Sequence, residues 1–353
     1  MTNEAMKKVL VKAGIFSFLS IALMLQRSAT KHIMIADAAG VTVERSKSED
    51  QYTLLLDRNI SSGKEGKLII PVPKSVGSDR IAVEDNYLEH ELLVYIDSDE
   101  EGFYKDNPIK AGVDIIESAL CVKENETGAV CLEFGLDGLY ANQSTLTENS
   151  TIEVSFFKPY EKYDRIVVVD PIAGGTDRSL SGNGVYEKDV ALDIALELKA
   201  LSEKDENNDI KFYYTRLTDA DVDFSKRSDL VRDTKADLLI GIGTIPDSDP
   251  ELSGLQTRYN DSFFVRKLNN AQFADIVEKN TVEKAGANAI GMEVATEEDE
   301  LLWSSTIPSC RVLVGNLENA EDVQYLSNGA YKNKIAAGIY SGISEAFDVM
   351  SGK

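Results

Sequence analysis

The chain has 353 residues, of which 43% are hydrophobic and 8% are aromatic. This composition excludes a disordered tail, and at roughly 100–200 residues per domain the length predicts two domains. The 37 Lys and Arg residues are outnumbered by 60 Asp and Glu residues, which gives a formal net charge of −23. Nucleic acid is not expected as a partner of so acidic a chain, because contacts with phosphates require clustered cations. With two His and three Cys residues, the chain cannot form a four-Cys zinc site.

The first 32 residues predict a membrane anchor or a signal segment. An uncharged apolar run, AGIFSFLSIALML, occupies 13–25. Basic residues flank the run on both sides: Lys7, Lys8, Lys12, Arg27 and Lys31. The run is short for a membrane-spanning helix and has the length of a signal-peptide core. If the apolar segment is extended back to Val9, Lys12 is its only charged residue, and a lysine there can reach the membrane surface. The segment is therefore also compatible with a membrane anchor. We favour an uncleaved anchor in the cell membrane with the rest of the chain exported; a cleaved signal, which would give a secreted protein, and a buried N-terminal helix are the alternatives.

Residues 45–160 predict a β-rich accessory domain. Five β-prone runs are separated by turn-forming clusters such as SSGKEG and DSDEEG. These runs are YTLLLD (52–57), KLIIPV (67–72), ELLVYID (91–97), AVCLEF (129–134) and TIEVSFF (151–157). The pattern favours a compact β-sandwich or barrel.

Two cysteines flank a candidate hairpin in this region. If 124–128 forms a five-residue loop, Cys121 lies opposite Cys131 on the neighbouring strand. Directly opposed residues of a hairpin can be close enough for a disulfide, which an exported protein tolerates. The alternative is that both are small, buried apolar residues of one sheet face.

From 164 to 350 the pattern changes to strands that alternate with helices. RIVVVD (165–170) is a continuous apolar strand, and an amphipathic helix follows from Tyr186 to about Leu201. The later segments are KFYYTRL (strand), FSKRSDLVRDTK (helix), ADLLIGIG (strand), a helix near 269–284, CRVLVGN (strand) and a helix at 332–347. This order predicts an α/β fold with a mostly parallel sheet flanked by helices, and a site at the carboxyl ends of its strands.

Five segments of this region carry a family resemblance. They are 170–175 (DPIAGG), Glu187 at the start of a helix, 215–219 (TRLTD) followed by Arg227, 241–244 (GIGT) and 312–319 (VLVGNLEN). In this order and at this spacing they resemble the zinc-dependent N-acetylmuramoyl-L-alanine amidases, which cleave the bond between muramic acid and the peptide stem. Those enzymes have DPGHGG at the first segment, S-I-H-x-N at the fourth and V-E-x-G-F-L-x-N at the fifth.

The resemblance also shows where this chain departs from the family. It places the three zinc ligands, two His and one Glu, at Ala173, Gly243 and Glu187, and the catalytic Glu at Leu313. Ala and Gly have no donor atom, and one carboxylate does not hold zinc in water. We therefore expect no catalytic residue, no metal and no cofactor, although active relatives use zinc.

Three charged residues remain as candidates for binding in the groove: Glu187, Arg311 and Asp170. Glu187 is interpreted first as a residue that complements the dipole of its helix. Arg311 lies two residues before Leu313, on the same face of the strand, and could pair with Glu187 in place of the metal or reach solvent at the strand edge.

Two functions follow from the resemblance. The first is a catalytically inactive, membrane-anchored amidase relative that binds peptidoglycan or a cell-envelope protein. The alternative is an active peptidoglycan amidase with a non-standard metal held by Asp170, Asp177 and Glu187, which resemble ligands of a hard cation more than those of zinc.

Overall fold

The computed structural model describes residues 34–37, 51–59, 66–98, 100, 102–123, 129–246, 249–262 and 267–352. The predicted anchor at 1–32 lies outside these residues, so it stays a prediction. Among the helices that are described, none is both long and apolar enough to cross a membrane.

The first part of the chain forms two β-sheets. Their strands are β1 (Met34–Asp37), β2 (Gln51–Thr53), β3 (Leu56–Asp57), β4 (Lys67–Pro71), β5 (Ile81–Asn86), β6 (Glu91–Ile96), β7 (Ile109–Ala111), β8 (Ile116–Lys123), β9 (Val130–Leu136), β10 (Ala141–Leu146) and β11 (Thr151–Phe157). One sheet has the order β1-β5-β6-β9-β8-β2 and the other β10-β11-β4-β7-β3. Two short helices complete this part, α1 (Phe103–Asp106) and α2 (Pro159–Lys162).

Inward-facing side chains of these two sheets share one hydrophobic core. Leu68, Val94, Phe134 and Ile152 are fully buried in it. Four of the five β-prone runs each contain one strand, the run at 52–57 is divided between β2 and β3, and β5, β7, β8 and β10 lie outside the five runs. The domain boundaries at 45–160 and 164–350 stay predictions.

The structure contradicts the possible disulfide between Cys121 and Cys131. Strands β8 and β9 pair one residue out of the expected register, with Cys121 opposite Leu132 and Cys131 opposite Val122. Because successive side chains of a strand point to opposite faces, this shift places the two cysteines on different sides of the sheet. Both side chains are buried and neither forms a disulfide, and the turn at 124–128 lies outside the described residues.

The second part of the chain is an α/β layer. Its strands are β12 (Ile166–Pro171), β13 (Ser181–Gly182), β14 (Val185–Tyr186), β15 (Lys211–Tyr214), β16 (Leu238–Ile245), β17 (Leu255–Tyr259), β18 (Ala289–Val294) and β19 (Ser309–Asn316). Its helices are α3 (Glu187–Lys204), α4 (Phe224–Thr234), α5 (Asn270–Ala285), α6 (Glu300–Ser304), α7 (Ala320–Leu326) and α8 (Gly329–Ser351).

The main sheet of this layer has the order β15-β12-β16-β19-β17-β18. Neighbouring strands are parallel except for β17 and β19, which are antiparallel, so the expected mostly parallel α/β fold is confirmed. Helices α3 and α5 pack against α8, while α4 and α6 contact each other. The parallel strands β12, β16 and β19 bring the segments after Asp170, Ile242 and Val314 to one end of the sheet.

Candidate functional site

The site is built around the loop that follows β12. This loop, residues 171–175, is called the site loop. Ala173 takes the left-handed conformation at φ +59°, and Gly174 and Gly175 also have positive φ. The Gly174 and Gly175 conformations, at φ +136° and +57°, favour glycine, and a Cβ on Gly174 would lie 2.2 Å from the Ala220 carbonyl oxygen. The two glycines of the motif therefore serve the close packing of the loop.

Arg216 binds the backbone of the site loop. Its guanidinium, fully buried, donates hydrogen bonds to the carbonyl oxygens of Pro171 at 3.0 Å, Ile172 at 2.9 Å and Lys188 at 2.8 Å. One side chain thus ties the site loop to the first turn of α3. This is the role of the Arg in the TR-x-x-D segment.

Asp219, the last residue of that segment, holds the opposite end of the loop. Its carboxylate accepts hydrogen bonds from the Gly175 amide at 2.7 Å and the Lys188 ammonium at 2.6 Å. Burial opposes ionisation of this carboxyl, but the Lys188 contact and the Gly175 amide outweigh it and lower its pKa.

Asp170 is almost fully buried and supports the loop. Its carboxylate is 3% exposed and accepts hydrogen bonds from the Thr215 hydroxyl at 2.7 Å and the Arg227 guanidinium at 2.5 Å. Burial works against its ionisation, but the charge of Arg227, the Thr215 hydroxyl and the charge of Arg311 prevail and lower the pKa of Asp170. Arg227 also donates to the Ala173 carbonyl oxygen at 3.0 Å, so it fixes the loop at two points.

Glu187, the first residue of α3, is 1% exposed and lies at the centre of the site. Its Oε1 accepts hydrogen bonds from the Thr244 amide at 2.5 Å and from the Thr244 hydroxyl at 3.0 Å. Its Oε2 accepts a hydrogen bond from the Leu180 amide at 3.3 Å. In the described part of the chain no ion pair involves Glu187. The carboxylate is therefore stabilised by three donors and by the amino end of its own helix.

The residues around Glu187 do not fit a zinc ion. Gly243 and Leu313 are direct neighbours on β16 and β19, and neither has a donor atom in its side chain. A Cβ on Gly243 would lie 2.6 Å from Ile172 Cδ1 and 3.0 Å from Glu187 Oε1, so a side chain at 243 requires the end of the Ile172 side chain to move. Ile172 stands where the motif of the family has Gly. A hydrophobic side chain and a threonine thus occupy the surroundings of the one retained carboxylate.

Arg311 does not pair with Glu187, so that hypothesis is wrong. Its guanidinium forms an ion pair with the buried carboxylate of Asp299. Asp299 also lies 3.5 Å from Arg258, which faces Arg311 across strands β17 and β19. The electrostatic partner of Arg311 comes from the residue that precedes α6, a helix that the sequence pattern did not predict.

The carboxylates of the alternative metal site are not brought together. Asp170 is bound to Arg227 and Thr215, Asp177 accepts a hydrogen bond from the Ser179 amide, and Glu187 faces Thr244. Over the ranges described, no group of three His, Cys, Asp or Glu side chains is arranged to hold a metal ion.

Sequence reasoning missed Ile172 and Thr244 as parts of this site. A signal for Ile172 is present, since it replaces the Gly of the family motif. Thr244 has no such signal, because its contact with Glu187 depends on the distance between α3 and β16. The supporting roles of Arg216, Asp219 and Arg227 were also not assigned.

Comparison with known proteins gives the same family. The sequence profile of the N-acetylmuramoyl-L-alanine amidases matches residues 167–345, just over half of the chain. The chain is 26% identical over 176 residues to the amidase LytC of Bacillus subtilis, and 28% identical over 221 residues to the probable amidase AmiB of Haemophilus influenzae. Each match covers 50% of this chain, but only 34% of LytC and 51% of AmiB.

A solved amidase structure from Clostridium difficile 630 is 25% identical, covers 52% of this chain and 97% of its own, and has a TM-score of 0.48. The profile match coincides with the α/β layer and contains every residue of the site described above. The chain belongs to the N-acetylmuramoyl-L-alanine amidase family.

Proposed function

We propose that this chain is a catalytically inactive member of its family, which binds peptidoglycan or a cell-envelope protein at the rim of the former active site. The observation that carries the proposal is the pair Ile172 and Gly243. The side chain of the first lies where a ligand at 243 would start, and the second supplies no ligand. Glu187 bonds to Thr244, and within the part of the chain that the structure describes it belongs to no group of three side chains that could hold a metal ion.

Loss of the zinc ligands and loss of the catalytic Glu would each remove one contribution to hydrolysis. The metal supplies a polarised water, and the catalytic Glu of the family accepts a proton from that water. Leu313, at the position of that Glu, is 2% exposed and cannot accept a proton. Restoring the metal alone would therefore leave this chain without a general base.

The loops around the site remain available for binding. Thr176, Arg178 and Asn183 are exposed on the segment between the site loop and α3. Peptide stems of peptidoglycan carry carboxylates, and Arg178 offers a cation at this rim. An anchor at 1–32 with the rest of the chain outside the cytoplasm would place this rim next to the cell wall.

Zinc content, hydrolysis and binding of the purified full-length chain test the proposal together. We expect substoichiometric zinc by elemental analysis, no release of peptide stems from peptidoglycan sacculi, and saturable co-sedimentation with the sacculi. Arg178→Ala should weaken co-sedimentation. Arg232→Ala removes the same charge from an exposed position at the end of α4 and should not weaken it.

Stoichiometric zinc together with stem release would contradict the proposal and favour an active amidase. Failure to bind sacculi, with no zinc and no hydrolysis, would leave a cell-envelope protein as the partner. A proximity-labelling experiment on the anchored chain in cells then identifies that protein.

A further inference from the structure

The turn between β5 and β6, residues 87–90, reaches from the first part of the chain into the α/β layer. Tyr87 is 1% exposed and belongs to the hydrophobic core of that layer, not to the core of its own sheet. Its ring meets the Tyr213 ring edge to face, with 5.1 Å between the centroids. A side chain of the accessory part thus completes the core of the amidase-like part.

The Tyr87 hydroxyl bonds to the outer side of strand β15. Among the described strands, β15 is the first of its sheet and pairs with β12, and the amide and carbonyl of Tyr214 point away from β12. The hydroxyl donates to the Tyr214 carbonyl oxygen at 2.8 Å and accepts from the Tyr214 amide at 2.8 Å. Loss of the hydroxyl would remove a hydrogen bond from each of these two buried backbone groups.

The same turn also contacts helix α4. Glu89 forms an ion pair with Lys226 at 2.5 Å. The residue after Lys226 is Arg227, which binds Asp170 and the Ala173 carbonyl oxygen. The residues after Tyr214 are Thr215 and Arg216, which bind Asp170 and the site loop.

We propose that the turn 87–90 is a positioning element for the site loop. It holds the two segments, 214–216 and 226–227, from which all the side chains that clamp Asp170 and the carbonyls of 171–173 are drawn. The accessory part is therefore coupled to the site itself. This inference concerns the site loop and does not depend on what the groove binds.

Hydrogen–deuterium exchange of the full-length chain tests this coupling without any ligand. Tyr87→Phe keeps the ring and its packing on Tyr213 but removes both hydrogen bonds. We expect the amide of Tyr214 and those of the site loop to exchange about five- to tenfold faster, as befits the loss of one buried hydrogen-bond partner. The double variant Tyr87→Phe/Glu89→Gln should exchange faster still in the site loop.

Tyr52→Phe is the matched control, since Tyr52 lies inside the accessory part, opposite Cys121 on strands β2 and β8. It should leave exchange at 171–175 and 214–216 unchanged. If Tyr87→Phe accelerates exchange only at Tyr214 and not in the site loop, the turn merely covers the strand edge and the proposal is wrong. Unchanged exchange at both places would overturn it as well.

Discussion

The Glu187 carboxylate accepts hydrogen bonds from both the amide and the hydroxyl of Thr244, at 2.5 and 3.0 Å. This contact joins the amino end of α3 to the carboxyl end of β16. The third donor, the Leu180 amide, adds the segment before β13. A residue that holds zinc in active relatives has thus become a link between three segments of the backbone.

Glu187→Gln should therefore be destabilising. All three partners of the carboxylate are donors, and a glutamine amide must turn its own NH2 group towards one of them. One unsatisfied buried group costs about 1–3 kcal/mol in free energy of unfolding. The control Glu203→Gln, at an exposed position of the same helix, should change it by less than about 0.5 kcal/mol. Denaturant melts measure both, and equal losses would contradict the role of Glu187 as a link.

Arg311→Met should lower the free energy of unfolding by about 3 kcal/mol, because it leaves the buried carboxylate of Asp299 with the Thr296 amide and the more distant Arg258. Combining Arg311→Met with Asp299→Asn should cost much less than the sum of the single losses. Combining it with Glu187→Gln should be additive, since the two side chains share no hydrogen-bond partner. Denaturant melts of the double variants decide between the pairings. Non-additivity with Glu187 would restore the earlier hypothesis.

The sequence was sufficient to predict the α/β layer, because its strands are continuous apolar runs and its helices are amphipathic. It also located Ala173, Gly243 and Leu313 as positions without metal-binding atoms. It could not predict that Ile172 fills the space over Gly243, since this depends on the path of the site loop. The partner of Arg311 was missed for a similar reason: Asp299 precedes a five-residue helix that has no periodic pattern.

The expected pairing of Cys121 with Cys131 was wrong because the register of strands β8 and β9 differs from the one assumed. The loop length assumed for the β8–β9 hairpin was wrong by one residue, and a shift of one residue exchanges the two faces of a strand. The apolar pattern of AVCLEF predicts a strand whatever its register with the neighbouring strand. The sequence therefore predicted the strand, but it did not predict which side chains lie opposite each other.

Thiol titration checks the corrected register. Burial raises the pKa of the Cys121 and Cys310 thiols, so they should react slowly with a thiol reagent in the native protein. In denaturant without reductant, we expect all three cysteines of the chain to react. Cys121→Ser should lower the count by one. A single reactive thiol in the unmodified chain would show that Cys121 and Cys131 are bonded after all.

The stability of the site should depend on pH through Asp170. Its pKa is lowered in the folded protein, so its contribution is present above the unfolded value of about 3.9 and is lost as pH falls through the folded value. Asp170→Asn should cost about 3 kcal/mol at pH 7, because Arg227 then stays buried beside a neutral group. The difference in free energy of unfolding between Asp170→Asn and the unmodified chain should become smaller below a pH of about 4.

Denaturant melts across this pH range measure that difference. Asp275→Asn, which removes one partner of an exposed pair with Lys279, is the control and should cost less than about 1 kcal/mol at every pH. A penalty for Asp170→Asn that is constant from pH 7 down would show that the charge of Asp170 does not stabilise the fold.

Zinc binding is the last prediction, and it depends on Ile172. Replacing the lost ligands with Ala173→His and Gly243→His, and the lost base with Leu313→Glu, supplies every chemical group of the family site. The triple variant should nevertheless bind little zinc, because any side chain at 243 meets Ile172, whose Cδ1 lies 2.6 Å from the Cβ position. Adding Ile172→Gly empties that volume and restores the Gly of the family motif.

The left-handed conformation of Ala173 also suits this design, since His tolerates positive φ better than most residues. We therefore expect stoichiometric zinc in the quadruple variant only, measured by elemental analysis after dialysis, with Glu187 as the third ligand. Ile172→Gly alone is the control and should bind none, because it adds space without ligands. Zinc taken up equally by the triple and quadruple variants would show that Ile172 moves aside at no cost, and a folded quadruple variant without zinc would show that the loop geometry is also lost.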